Sequence, residues 1–259
     1  MIKLVASDID GTILPLGDKV IPQQVFDEAG KLVDSGIAFC FASGRQYENL
    51  KKLAMPLLNK AYFMCENGAV LFSPGENPEL ISETRMERQF AMDIAHAILE
   101  YPDADVFISG RNMTYLCLDS DGEHFIAEHL LANNLKKVPL PEDVQEPIVK
   151  VSAFCPDAYE ACPVFAEKFA DRCTVSIAGS RWVDFTIASK GSALRDLCSY
   201  LGIGTDEAAA FGDNFNDLPM LEVAGVPYIM ENADSELKKR IPNHCSNVVE
   251  ELRRIRSFV

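Results

Sequence analysis

The N-terminal stretch Leu4-Val5-Ala6-Ser7-Asp8-Ile9-Asp10-Gly11-Thr12 constrains the chain more than any other, because an apolar run ends there abruptly in two carboxylates and a glycine. Ile2, Leu4 and Val5 predict a buried strand, and at a period of two Asp8 and Asp10 are expected to point the same way as the chain leaves the sheet. Two carboxylates at one strand end repel each other and cost desolvation, so a cation or a reacting group has to compensate them. The next segments extend the constraint. Pro22 to Ser35 predicts a helix with Val25, Phe26, Ala29, Leu32 and Val33 on one face, and Gly36 stands just past its end. Ile37 to Ala42 predicts a second strand, about Tyr47 to Leu53 a helix, and Ala61 to Cys65 a third strand. Strands alternating with helices imply a parallel sheet with right-handed crossovers. Ala69 to Phe72 and Leu80 to Ser82 flank a turn-rich segment and predict a hairpin.

From about Arg85 the rhythm changes to helix (Met86 to Glu100), strands (Val106 to Ile108, Met113 to Leu118) and helix (Glu123 to Asn134), with a proline- and acid-rich loop from Val138 to Pro147. Strand Ile148 to Phe154, helix Ala158 to Ala170 and strands Thr174 to Ala178 and Trp182 to Ile187 complete it. Adjacent strand pairs suggest antiparallel pairing and a compact α+β insert. From Lys190 the first rhythm resumes, with a helix, strand Ala208 to Phe211, a short helix near Leu218 to Val223, strand Val226 to Met230 and two closing helices. The expected organisation is therefore a discontinuous α/β domain, residues 1–84 and 187–259, interrupted by an α+β domain, residues 85–186.

Composition narrows the function. A net charge of -15 argues against a nucleic-acid surface, which needs concentrated Lys and Arg. No apolar run approaches the roughly 20 residues of a membrane helix, and no signal-peptide core precedes Asp8. These absences lead to the expectation of a cytoplasmic protein, and the 8 cysteines, scattered without a CxxC pair, predict reduced, buried thiols. A monomer or a weak homodimer is expected.

Three further loops are each expected to follow a strand of the parallel sheet, where ligands of such sheets bind. Ser43-Gly44-Arg45 offers a hydroxyl and backbone amides suited to an anionic oxygen, and is equally compatible with an ordinary strand-to-helix turn. Gly212-Asp213-Asn214-Phe215-Asn216-Asp217 packs oxygen donors that suit Mg²⁺, or an Asx-rich turn capping the next helix. Lys190 opens a helix, where a cation opposes the dipole, so another partner should hold it there. A calcium loop is ruled out by glycine arriving at Gly11, too early, and by Lys19 in the closing position. Asp119-Ser120-Asp121-Gly122 repeats the opening pattern inside the insert but lacks the threonine.

Taken in order, Asp8-Ile9-Asp10-Gly11-Thr12, Ser43, Lys190 and Gly212 to Asp217 resemble the four motifs of the haloacid dehalogenase (HAD) superfamily of phosphohydrolases. The insert and Glu66-Asn67-Gly68-Ala69 resemble the Cof-type branch, subfamily IIB, with its C2B cap. The resemblance implies a Rossmann-like parallel-sheet core with an inserted α+β cap, and a Mg²⁺-dependent phosphatase acting on small phosphorylated metabolites through an aspartyl phosphate. A phosphomutase or phosphotransferase of phosphomannomutase type, using the same intermediate, is the alternative. It further implies Asp8 as nucleophile and Asp10 as general acid and base, with Mg²⁺ on Asp8, the Asp10 carbonyl and Asp213. Ser43, Gly44, Lys190 and Asn216 would bind phosphate or substrate, Thr12 and Asp217 would support them, and segments at Arg85–Met86 and Ile187–Ser189 would let the cap close. One departure is the short return to Lys190, Asp184 to Ser189, where the family usually carries Pro-x-Gly.

Overall fold

The computed structural model describes residues 1–117 and 134–258. By their backbone contacts they form two compact units, one of residues 1–45, 50–82 and 189–259, the other of residues 46–49 and 83–188. The predicted helix Glu123 to Asn134 falls almost wholly outside the described residues, as does Asp119 to Gly122.

The first unit is built on an eight-stranded sheet ordered β14-β13-β12-β1-β2-β3-β4-β5. Its strands are β1 (Leu4–Asp8), β2 (Ala38–Ala42), β3 (Tyr62–Cys65), β4 (Val70–Phe72), β5 (Leu80–Glu83), β12 (Ala208–Gly212), β13 (Val226–Met230) and β14 (His244–Cys245). All pairs from β14 to β3 are parallel, and β4 returns antiparallel on β3. A parallel sheet is covered on both faces, and the strand residues here are apolar on both. On one face Leu4, Ala6, Cys40, Ala42 and Ala210 pack with Ala193, Leu194 and Leu197 of α5 (Lys190–Leu201) and Met220 and Leu221 of α6 (Leu218–Val223). The other face carries Phe39, Phe41 and Phe63, whose rings lie 5.1 and 5.9 Å apart in sequence. Phe26 of α1 (Gln23–Asp34) packs on Phe41 at 6.4 Å, and the next helix in the chain is α2 (Tyr47–Leu53). Glu28 of the same helix accepts from Lys31 and pairs with Arg253 and Arg256 of the terminal helix α8 (Val248–Arg256), following α7 (Ser235–Arg240).

The second unit is a six-stranded sheet ordered β10-β11-β9-β6-β7-β8. Its strands are β6 (Asp105–Ser109), β7 (Thr114–Cys117), β8 (Leu135–Val138), β9 (Lys150–Phe154), β10 (Thr174–Gly179) and β11 (Trp182–Thr186). Helices α3 (Arg88–Leu99) and α4 (Ala158–Phe169) contribute Phe90, Ile94, Ile98, Ala161 and Phe165 to a core with Val106, Ile108, Val151, Val183 and Phe185. The alternate residues form the other sheet face, an aromatic group of Phe107, Phe154 and Trp182 and a polar group in which Lys150 pairs with Asp184 at 3.2 Å and Ser152 donates to Asp184 at 2.6 Å. Pairing is antiparallel as expected except at β7–β8, which is parallel. Strand β8 was not expected: Leu135-Lys136-Lys137-Val138 has too little apolar pattern to announce a strand, and its lysines suit a sheet edge. No helix among the described residues is long and apolar enough to cross a membrane.

Candidate active site

The face of β1 that carries Leu4 and Ala6 also carries Asp8, its last residue, so the carboxylate emerges where α5 and α6 begin. Lys190 is the first residue of α5, placed by Ser189, whose hydroxyl accepts from the Ser192 amide at 3.0 Å. Its side chain is completely buried, and Nζ donates to Asp8 Oδ1 at 2.6 Å and to Asp217 Oδ1 at 2.5 Å. These carboxylates are the partners that a cation at a helix start requires. Burial alone would lower the Lys190 pKa, but the charges of Asp217 and Asp8 outweigh it and hold the ammonium well above its ordinary value.

Asp217 caps the loop after β12: its Oδ2 accepts the amides of Asp213 and Asn214, each at 3.0 Å. Asp213 thereby reaches the turn after β1, where Thr12 donates to its Oδ1 at 3.3 Å. Gly11 has φ +91°, and a side chain there would overlap the Asp213 carboxylate. Asp8, Asp213 and Asp217 each present a carboxylate oxygen within 4.8 Å of the others. Burial and the Asp217 charge push the Asp8 carboxyl up to about 7 against the opposing pull of Lys190, and the same two causes push Asp213 to about 6. Asp8 Oδ2 is buried and has no hydrogen-bond partner among the described residues. Three carboxylates around one lysine, with an orphaned oxygen and only oxygen donors, fit a hard divalent cation.

The strand period that led Asp8 and Asp10 to be expected on one side does not extend to Asp10, because β1 stops at Asp8. The chain then turns around the Ile9 carbonyl, which accepts the amides of Thr12, Ile13 and Leu14. Asp8 is buried, whereas the Asp10 side chain is 48% exposed and pairs with Arg45. Arg45 Nε donates to Asp10 Oδ2 at 2.8 Å and Nη2 to Oδ1 at 2.5 Å. Ser43 is buried after β2, and its hydroxyl accepts the Arg45 amide at 3.2 Å. Gly44 lies against the Asn67 side chain, where a Cβ would sit 3.0 Å from Asn67 Oδ1. Asn216 donates to that same Oδ1 at 3.1 Å.

Asp8, Thr12, Lys190, Asp213 and Asp217 thus form one directly bonded cluster. Ser43 and Gly44 are joined to Asp10 and Asn216 through Arg45 and Asn67. Three residues had received no role from the sequence. Arg45 and Asn67 lay inside motifs noticed for other residues. Asn232, which donates to the Gly11 carbonyl at 3.0 Å and to Asp213 at 3.3 Å, lies in the loop that leaves β13; its position after a parallel strand was the available signal.

The chain belongs to the haloacid dehalogenase-like hydrolases, an enzyme family whose model matches residues 5–251. Among its relatives is the 5-amino-6-(5-phospho-D-ribitylamino)uracil phosphatase YbjI of Escherichia coli, 28% identical over 241 residues that cover 90% of this chain and 87% of the relative. The HMP-PP phosphatase of Cronobacter sakazakii is 26% identical over 258 residues, covering 95% and 92%. The fold is shared with the HAD subclass IIB sugar phosphatase BT4131, at a TM-score of 0.79, 20% identity and coverage of 99% and 98%.

Proposed function

We propose that this chain is a Mg²⁺-dependent phosphatase that hydrolyses small phosphate monoesters, sugar phosphates or phosphorylated cofactors, through an aspartyl phosphate on Asp8. The observation that carries the reading is the charge of the buried cluster: Asp8, Asp213 and Asp217 against Lys190 alone. That cluster repels a phosphate dianion unless a divalent cation joins it. Asp8, the Asp10 backbone carbonyl and Asp213 would hold Mg²⁺, which when bound neutralises phosphoryl charge. The names of the two relatives support a phosphorylated metabolite as substrate.

In this reading the Asp8 carboxylate attacks phosphorus as the bond to the leaving alkoxide breaks, and Asp10 gives that oxygen a proton. Water then attacks the phosphorus of the aspartyl phosphate, Asp10 takes the proton back, and inorganic phosphate leaves with Asp8 restored. Lys190 and Ser43 offset charge on the phosphoryl oxygens, and Asp217 keeps Lys190 aimed at Asp8. Residues 1–84 and 187–259 form the catalytic domain of this proposal and residues 85–186 its cap. A cytoplasmic setting agrees with the 8 unpaired cysteines.

The test is release of inorganic phosphate from a panel of sugar and cofactor phosphates with Mg²⁺. The expected result is release from at least one ester, reduced on the order of 10³-fold or more in Asp8→Asn, which keeps the shape and removes the nucleophile. No release from any ester, or an isomerised ester without free phosphate, overturns the reading.

A further inference from the structure

The two carboxylate oxygens of Asp213 are met by donors from two different loops: Thr12 donates to Oδ1 at 3.3 Å and Asn232 to Oδ2 at 3.3 Å. Asn232 uses the same nitrogen a second time, donating to the Gly11 carbonyl at 3.0 Å. A carbonyl and a carboxylate are both acceptors, so the side-chain amide must turn its NH₂ group toward them, and its paired N–H bonds serve both at once. A hydroxyl has a single proton to give and a carboxylate has none, so neither could bridge them.

The two acceptors crowd one another. Gly11 takes φ +91°, and a Cβ there would overlap Asp213 Oδ2, which shows how near the turn after β1 comes to the loop after β12. Negative ends brought this close repel, and a donor shared between them turns the repulsion into a tie. Asn232 is itself held by its neighbours. The Glu231 amide donates to the Cys245 carbonyl at 3.0 Å, the Ala233 amide donates to the Met230 carbonyl at 3.0 Å, and Asp234 accepts the Glu236 amide at 2.7 Å where α7 begins. A short side chain on so fixed a loop is presented to its partners with little left to order. On the other side of the tie, the Gly11 amide donates to the Leu14 carbonyl at 2.9 Å, so the peptide that joins Asp10 to Gly11 is anchored as well.

Resting on the phosphatase reading above, we infer that Asn232 is a positioning residue that makes the cation site selective for Mg²⁺, by locking the Asp213 carboxylate to the peptide that follows the Asp10 carbonyl. Mg²⁺ demands near-ideal octahedral geometry and short bonds, whereas Ca²⁺ accepts longer bonds and irregular coordination. Ligands tied to one another suit the stricter ion. Set loose, they lose that preference.

The test is calorimetric titration of Mg²⁺, and separately of Ca²⁺, into the full chain as wild type, Asn232→Leu, which keeps much of the shape without the donors, and Asn232→Ala, which removes them without bulk. Mg²⁺ affinity should fall about tenfold or more in both variants, while Ca²⁺ affinity should change by less than about threefold. Asn232 is exposed, so both variants should melt with wild type when divalent ions are absent, and either one that does so carries the comparison. Loss of the fold in both would make Asn232 a structural residue and overturn the inference. Unchanged Mg²⁺ affinity, or an equal loss for the two ions, overturns it too and leaves the phosphatase reading intact. Failure of wild type to bind Mg²⁺ also overturns it and, if no ester is hydrolysed either, removes the phosphatase reading with it.

Discussion

Each of the two units buries a lysine against aspartate, and the two centres are not equivalent. In the second unit Lys150 meets Asp184 at one carboxylate oxygen and Ser152 donates to the other, so both oxygens of that carboxylate are engaged. In the first unit Lys190 meets Asp8 and Asp217 with Asp213 close by, so negative charge is in excess, and Asp8 Oδ2 has no partner among the described residues. Both kinds of centre cost desolvation. A balanced pair recovers that cost within the fold, whereas an unbalanced one recovers it only when something else binds. The proposed reaction draws on that difference, because a cluster with excess charge is where a perturbed group is available to a ligand.

The most forceful way to break this comparison is Lys190→Met. It removes the cation from between two buried carboxylates, and should reduce phosphate release on the order of 10³-fold while lowering stability without added Mg²⁺ by about 3 kcal/mol in denaturant titration. Equal stability would mean that the cluster does not depend on its lysine. The cation deficit is read by thermal unfolding: Mg²⁺ at about 100 times its Kd should stabilise wild type by about 2.7 kcal/mol, and Asp213→Asn by much less. Stabilisation of both alike would place the ion elsewhere.

Asp184→Asn is the matching change in the balanced centre. It removes a charged partner of Lys150 and should cost about 1–3 kcal/mol in denaturant titration, with the half-saturating Mg²⁺ concentration unaltered. A shift in that concentration would erase the distinction between the centres. The smallest effect is expected at Glu28, whose hydrogen bond from Lys31, with help from Arg253, holds its carboxyl below the usual range. A lowered folded-state pKa contributes stability that is complete above the unfolded value of about 4.3 and disappears as pH falls through the lower folded value. Thermal unfolding between about pH 7 and 3 should therefore fall less steeply in Glu28→Gln than in wild type.

Much of the fold was legible because its signals are local. Alternating apolar strands and one-sided helices announced the parallel sheet, and Lys190 at a helix start announced a missing counter-charge. Strand β8 was not legible, since four residues with two central lysines become a strand only by pairing with β7. The end of β1 was not legible for a related reason: whether the strand continues past Asp8 depends on the turn around the Ile9 carbonyl. Arg45 and Asn232 carry no local pattern that names their partners.

The sequence by itself determined which chemistry is present: a strand that ends in Asp8, loops rich in oxygen donors, and a lysine that opens a helix. Period and capping act over a few residues, so these features are readable one segment at a time. Only the tertiary structure decided which charges meet. Asp8 and Lys190 lie 182 residues apart, Thr12 and Asp213 201 apart, and Arg45 rather than a metal-facing group takes the Asp10 carboxylate. Strand order and register set those meetings, and burial then sets their strength, because a charge pair removed from water is strong where the same pair in solvent is weak.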